Sequence, residues 1–405
     1  MIFQSLVSLY DRLAKTGDIP PYGFSVEDIG FVITLDKNGN MIGQPEDLRT
    51  KITAQKFEFR TSEVPYTNEV NVRSGNASTT PNFMVDKADY IFGMSGTTQK
   101  KVHHQSFIER IYEVCGNSTD DGVVAVKAFL EKWNPASSIE LCDWEETCGT
   151  HGKWVAFRLD GDFVFVHERS EVKKLWANFI EKETFPKGIS LLDGNNHALQ
   201  PQYTQFKFGS GASLVSFNEA AYESYGKKRG ENAPISVDAE FKSSSALKYL
   251  LRNRTQRLNI GDAVTVFWTD KESPIETFMG YVLNPSIEDK VDAVPIRKFL
   301  EAVRKGKLPN EIDGGIKFYI LGFSVNKARL ALRFWYVCSV DELTSRLYNH
   351  FKCLEMERSE KDIPFPGIWH LLKETARESK DISPVLGGAL MRSILTGSNY
   401  PQSLY

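Results

Sequence analysis

Two strand-like runs near residue 330, followed by an abrupt change to a helical period, constrain this chain most. Ile316–Ser324 and Ala328–Val337 both read as strands and are joined by Val325-Asn326-Lys327. That pattern predicts an antiparallel hairpin. In the second run Leu330, Leu332, Phe334 and Tyr336 share one face, read as core, while Arg329, Ala331, Arg333 and Trp335 share the other. Ser339-Val340-Asp341-Glu342 then has the form of a capping box, so a helix is expected to run to about Met356. Strand patterns stop there, and helical ones continue, broken by Pro364, Pro366 and Pro384. The expectation is an α+β chain with mixed and antiparallel sheets: a body over 1–338, then the start of an all-helical segment over 339–405.

The rest of the chain fits that class. Ile2, Leu6, Leu9 and Leu13 lie on one helical face, with Gly17 placed as the C-terminal cap. Phe31–Leu35 reads as a strand entering the turn Asp36-Lys37-Asn38-Gly39, and residues 56–60 alternate as a half-exposed strand. Trp154–Leu159 and Phe163–His167 flank Asp160-Gly161, a hairpin signal. Further strands are expected at 212–217, 263–269 and 277–283, and helices near 102–115, 122–133, 170–183, 243–257 and 295–305. Residues 61–82 are rich in Asn, Ser, Thr, Gly and Pro and read as one long polar loop.

At 405 residues, 41% apolar and 25% charged, the chain is long enough for two or three domains and is neither disordered nor collagenous. No window reaches the roughly 18 apolar residues of a membrane span, and the N-terminus lacks a basic region and cleavage signature. Five irregularly spaced cysteines fit a reducing compartment better than a disulfide framework. The expected location is cytoplasmic, with no membrane partner.

Catalytic motifs are missing: there is no phosphate-cradling GxxxxGK[ST], no HExxH and no GxSxG elbow. His103-His104 can be read as metal ligands, but one buried and one solvated histidine is the plainer reading. Cys142, Cys148 and His151, with Cys115 upstream, have too wide a first spacing for ordinary structural zinc. Carboxylates are scattered. The residues call for no metal and no cofactor, and a non-enzyme is expected.

The basic residues say more. The net charge is −3, from 49 Lys+Arg against 52 Asp+Glu, so a protein coating nucleic acid by bulk charge is disfavoured. Phe241–Gly261 nevertheless contains no acid and carries Lys242, Lys248, Arg252, Arg254 and Arg257. These complement a helix C-terminus or hold phosphates, and both readings use the same residues. Lys227-Lys228-Arg229 follows Tyr225-Gly226 in a loop. Arg329, Arg333 and Trp335 suit either a nucleic-acid backbone or an exposed sheet face. Asn71-Val72-Arg73-Ser74-Gly75-Asn76 and Thr80-Pro81-Asn82 hold base-reading residue types, although by composition a plain surface connection is favoured.

Several stretches resemble one family. They are Asp18-Ile19-Pro20-Pro21-Tyr22-Gly23-Phe24, Arg73-Ser74-Gly75 with Pro81-Asn82-Phe83-Met84-Val85-Asp86, and Ser210-Gly211-Ala212-Ser213 through Phe217-Asn218. Glu223-Ser224-Tyr225-Gly226-Lys227-Lys228-Arg229-Gly230-Glu231-Asn232-Ala233-Pro234, Ile260-Gly261-Asp262-Ala263 and Arg329–Tyr336 complete the set, in the same order over the whole chain. The family is the large subunit of the type I-C CRISPR surveillance complex, Cascade.

The resemblance implies a non-catalytic subunit beside the one that holds the crRNA 5′ handle. It would read the PAM in target double-stranded DNA, help open the duplex, hold the displaced strand in the R-loop and present it to the helicase–nuclease. Implied partners are crRNA, target DNA, the handle-binding and backbone Cascade subunits, and the small subunit. Base pairing reads the target and protein reads only the PAM and backbones, which accommodates a near-neutral chain with local basic patches. On chemical grounds the PAM-loop candidates are Asn71, Arg73, Ser74, Gly75, Asn76 and Asn82, with Lys87, Lys100 and Lys101 on nearby phosphates. Lys227, Lys228, Arg229, Arg252, Arg254 and Arg257, with Arg329 and Arg333, are candidates for DNA or RNA backbone. The family usually continues past this length into a helical region related to the small subunit, so more helical sequence is expected beyond Tyr405. The competing readings are a metal-dependent nucleic-acid enzyme and a protein-only adaptor using its basic faces.

Overall fold

The computed structural model describes residues 1–53, 56–72, 80–141, 154–208, 211–217, 219–260, 263–283, 301–303, 308, 312–326, 329–357, 366–378 and 381–404. They form two compact units: Pro20–Pro186, and Met1–Ile19 together with Lys187–Tyr405. The element order combines α-helices with mixed and antiparallel sheets, an α+β architecture.

In the unit Pro20–Pro186, β1 (Phe24–Leu35) is flanked by β2 (Glu46–Asp47) and β3 (Arg60–Pro65), both antiparallel to it. On its other side it pairs in parallel with Trp154–Leu159, which in turn pairs antiparallel with β4 (Val85–Asp86). β1 is apolar on both faces because both are covered. Phe31, Ile33, Val155 and Phe157 pack against the helices Lys101–Cys115, Asp121–Lys132 and Ser170–Ile180, while Ile29, Val32, Val64 and Ala156 form a second core.

Two expectations change here. Phe163–His167 is not a returning strand; it ends in a single helical turn, Val166–Glu168, and Phe163 is 94% exposed. On the edge away from β1, β4 pairs only with Val155 and Ala156, and the chain after Asp160-Gly161 does not return along Phe157–Leu159 but turns into Val166–Glu168. The long polar loop is also shorter than expected. Its start is β3, whose Val64 enters the core, and Asn68–Val72 is a short helix. Residues 73–79 lie outside the described residues.

In the other unit, strands Arg257–Ile260, Ala263–Thr269, Lys317–Asn326 and Arg329–Ser339 form an antiparallel meander. One face carries Val266, Trp268, Leu321 and Leu330 against helices Ile2–Thr16 and Val237–Arg252. The other carries Phe267, Phe318, Ile320 and Phe334 against helices Ile275–Leu283, Val340–Cys353, Ile368–Lys373 and Pro384–Thr396. The helices after 339 therefore share a core with the sheet before them. Ser339 Oγ accepts the Glu342 N–H at 3.1 Å, the cap its sequence predicts.

Residues 277–283, expected as a strand, are helical. Ile275 and Met279 lie four apart and are both buried in one core, a helical rather than an alternating spacing. The expected strand at 212–217 is reduced to isolated bridges from Ala212 to Phe206 and from Ser213 to Arg329. Helix 243–257 is displaced to Val237–Arg252, where Ser236 Oγ accepts the Ala239 N–H at 3.1 Å. Of 295–305, only the helical residues 301–303 are described.

The hairpin near 330 forms, but with a bulge. Gly322 pairs with Phe334 and Phe323 with Leu332, leaving Arg333 as the extra residue. The bulge reverses the faces, so Leu330 points into one core and Phe334 into the other. Leu332, expected in the core, is 53% exposed.

Candidate nucleic-acid interface

The candidate site residues fall on both units. In Pro20–Pro186 the candidate loop around residues 71–82 is held at each end. Upstream, Asn71 lies in the last turn of the short helix Asn68–Val72 and donates its side-chain N–H to the Tyr66 hydroxyl at 2.7 Å. Downstream, the Asp86 carboxylate accepts the amides of Asn82 and Lys87, each at 2.7 Å. Arg73, Ser74, Gly75 and Asn76 lie outside the described residues.

Asn82 is corrected. It is fully buried, and its side-chain oxygen and nitrogen have no hydrogen-bond partner among the described residues. A base edge cannot reach it in this conformation. The rings of Phe83 and Trp176, stacked with centroids 5.4 Å apart, explain why this end of the loop is drawn inward.

Lys87 is exposed at the start of the short helix Ala88–Ile91, and Lys100 and Lys101 open Lys101–Cys115. The first turn of the longer helix holds no acid. Cations at the positive end of a helix dipole do not help the fold, whereas an incoming phosphate meets both the lysines and the dipole.

The histidine pair behind them is structural. Both are buried, correcting the expectation of one solvated. His103 Nδ1 lies 2.9 Å from Asp89 Oδ2 and its ring stacks on Tyr90, while His104 Nδ1 lies 2.9 Å from the Tyr90 carbonyl oxygen. Burial holds the His104 pKa below its usual value. Cys142, Cys148 and His151 lie outside the described residues, and burial pushes the Cys115 thiol up to about 12. Among the described residues no group of three His, Cys, Asp or Glu side chains is placed to hold a metal.

Ser62, His167 and Glu168 superficially resemble a nucleophile and its base. Ser62 Oγ is 2.9 Å from His167 Nε2 and donates to Glu168 Oε1 at 2.6 Å. With that proton committed to Glu168, the imidazole must donate Nε2–H to Ser62. This is the reverse of general-base activation. Ser62 and His167 are buried, so the cluster ties β3 to the 165–168 turn.

In the other unit, the acid-free stretch proves only partly uncompensated. Lys242 Nζ pairs with Asp11 at 3.1 Å and Asp238 at 3.0 Å, and Lys248 is half-buried. Arg257 donates to the Leu251 carbonyl at 2.8 Å, closing the end of Val237–Arg252. Arg252 and Arg254 remain exposed there. Arg333 does not share an open face with Trp335: the indole is stacked on Tyr319 at 5.8 Å against the covered side of the sheet. Arg333 instead lines a cavity of about 330 Å³ with Arg392, Trp335, Tyr336 and Leu395.

Lys227, Lys228 and Arg229 are all exposed on an ordered tip. The Lys227 N–H donates to the Ser224 carbonyl at 3.0 Å, closing a two-residue turn of Tyr225 and Gly226, both with positive φ. Arg329 lays its guanidinium 3.8 Å from the centroid of the Tyr222 ring.

A family profile described as CRISPR-associated protein (Cas_Csd1) matches residues 6–405. The chain belongs to this family. A search of curated proteins finds no match.

In this Cas_Csd1 protein, sequence reasoning placed Tyr225 beside the 227–229 cations but missed Tyr222 and Arg392 as neighbours of Arg329 and Arg333. Tyr225-Gly226 directly before three cations was a legible turn signal. Arg392 had none, because only the packing of Pro384–Thr396 beside the bulged strand brings it to Arg333. Among the described residues no helix is long and apolar enough to cross a membrane.

Proposed function

We propose that the chain is the large, non-catalytic subunit of a type I-C crRNA-guided Cascade, acting in the cytoplasm in antiviral defence. The family match over residues 6–405 carries this reading, and the exposure of cations such as Lys87, Lys101, Lys227 and Lys228 supports it. The subunit reads the PAM in target double-stranded DNA through the loop that Tyr66 and Asp86 anchor, using Asn71, Arg73, Ser74, Gly75 and Asn76. Lys87, Lys100 and Lys101 meet adjacent phosphates.

Lys227, Lys228, Arg229, Arg252 and Arg254 serve the backbone of the displaced strand or the duplex. Arg329 and Arg333 contribute at the edge strand, and Arg257 acts mainly as a helix cap. Reading a short PAM needs a few groove contacts, while crRNA pairing supplies the remaining specificity. The handle-binding, backbone and small subunits share the affinity, and the helicase–nuclease cuts the exposed R-loop.

The test is target-duplex binding by the assembled crRNA complex at fixed salt, with cognate and scrambled PAMs. Wild type is compared with the double variant Arg73→Ala/Asn76→Ala. Loss of PAM discrimination with assembly intact is the expected result. Unchanged discrimination returns the loop to a plain surface connection.

A further inference from the structure

The tip 222–232 carries an exposed aromatic that the fold does not explain. Tyr225 is 98% exposed and adopts a φ of +55°, a conformation that costs a side chain with a Cβ and that Asn or Gly would take more readily. Its ring gains no burial in return. Stability therefore does not account for a tyrosine at the apex.

The tip is nevertheless firmly built. Asn232 donates its side-chain N–H groups to the carbonyls of Lys227 at 2.9 Å and Arg229 at 3.2 Å, and its oxygen accepts the Ser224 N–H at 3.1 Å. Glu231, the acid closest in sequence to the three cations, accepts the Lys228 N–H at 2.8 Å. Gly230 donates to the Pro201 carbonyl at 3.0 Å, and a Cβ there would come within 2.5 Å of the Gln200 oxygen. A pre-ordered apex loses little entropy on binding. Behind it stand three exposed cations and a second exposed ring, Tyr222, backed by the Arg329 guanidinium.

Exposed rings interleaved with cations match the chemistry of unpaired nucleic acid, whose bases offer open faces and whose phosphates recur at each nucleotide. Paired bases hide those faces. From this geometry we infer that the tip is a single-strand stacking platform: Tyr225 packs on an unpaired base, and Lys227, Lys228 and Arg229 hold its flanking phosphates. Tyr222 offers a neighbouring ring. The identity of the ligand as the displaced DNA strand rests on the function proposed above; the stacking itself does not.

The experiment uses the full chain and a single-stranded thymine oligonucleotide carrying one 2-aminopurine, whose fluorescence falls on stacking. Wild type and Tyr225→Phe should quench it. Tyr225→Asn, which suits the left-handed backbone, should lose the quenching and bind about ten-fold more weakly, with an unchanged melting temperature. Lys227→Ala/Lys228→Ala should weaken binding but keep the quenching at saturation. Full quenching by Tyr225→Asn, or none by wild type, overturns the platform. A clear preference for the RNA version of the oligonucleotide overturns the displaced-strand assignment. PAM discrimination by the assembled complex is a separate readout that Tyr225→Asn should leave unchanged. Its absence in wild type would strike the reader loop and leave the platform standing.

Discussion

Trp176 donates its indole N–H to the carbonyl oxygen of Gly23 at 2.7 Å, fixing the helix Ser170–Ile180 to the residue just before β1. Gly23 has a φ of +81°, and a Cβ there would overlap Ile180 Cδ1 and sit 3.4 Å from the indole nitrogen. Gly23→Ala thus combines a left-handed penalty of roughly 1–2 kcal/mol with an overpacking cost of roughly 1–3 kcal/mol. A loss of about 3 kcal/mol is expected, read from tryptophan fluorescence during urea unfolding. Trp176→Phe should cost less, since Phe keeps the stack on Phe83 and loses the hydrogen bond.

Asp86 is the downstream anchor of the loop proposed to read the PAM. Its fully buried carboxylate accepts the amides of Asn82 and Lys87, and hydrogen bonds to a charged acceptor contribute about 1.5–3 kcal/mol each. Asp86→Ala should lower stability by about 3 kcal/mol and weaken PAM discrimination together. Arg73→Ala should weaken discrimination alone. Parallel melting and binding curves separate the two, and equal destabilisation by Arg73→Ala would remove that residue from the reader set.

How much of this was legible depended on where each signal lay. Local chemistry read correctly: the Ile2–Thr16 helix ends at Gly17 with φ +77°, and Ser339 caps the helix that follows the meander. What failed depended on partners distant in sequence. The strand expected at 163–167 gives way to a helical turn that buries Phe165 with Ile29 and Val64 in one core and Val166 with Val123 and Phe129 in another. Thr277–Leu283 has the β-branched and aromatic content of a strand, but burial of Ile275 and Met279 in one core sets the helical period.

The site was legible as residue types and not as roles. Lys242, Arg254 and Arg257 are alike in sequence, yet one is ion-paired, one is exposed and one closes a helix. Asn82 has base-reading chemistry and is buried by the packing of Phe83 beside it. Alternation around Arg333 was broken by a single inserted residue, and a period-two reading has no means of locating such a bulge.

Two buried histidines predict an acid-side loss of stability. Burial holds His167 and His350 at about 4, against 6.5 for the free side chain. Between those values the unfolded chain takes up protons that the folded chain refuses. The stabilisation is therefore present above pH 6.5 and lost as pH falls toward 4, by up to about 3 kcal/mol for each site. Urea midpoints measured from pH 7.5 to 4.5 should fall. His167→Gln, whose amide can still donate to Ser62, should flatten the slope for the unit Pro20–Pro186.

Arg254 and Arg257 lie three residues apart and should separate binding from stability. The Arg257 guanidinium satisfies the Leu251 carbonyl at the end of Val237–Arg252, where a cation also meets the negative end of the helix dipole. Arg257→Ala should cost about 0.5–1 kcal/mol and leave DNA affinity nearly unchanged. Arg254 is exposed and makes no ion pair among the described residues. Arg254→Ala should leave the melting temperature in place and weaken binding of the assembled complex equally for cognate and scrambled PAMs. Its plot of log affinity against log salt should become shallower by about one unit, the signature of one lost phosphate contact. An unchanged salt slope for Arg254→Ala would remove this residue from the DNA path and leave Arg252, the 227–229 tip, Arg329 and Arg333 as the proposed cationic contacts of this unit.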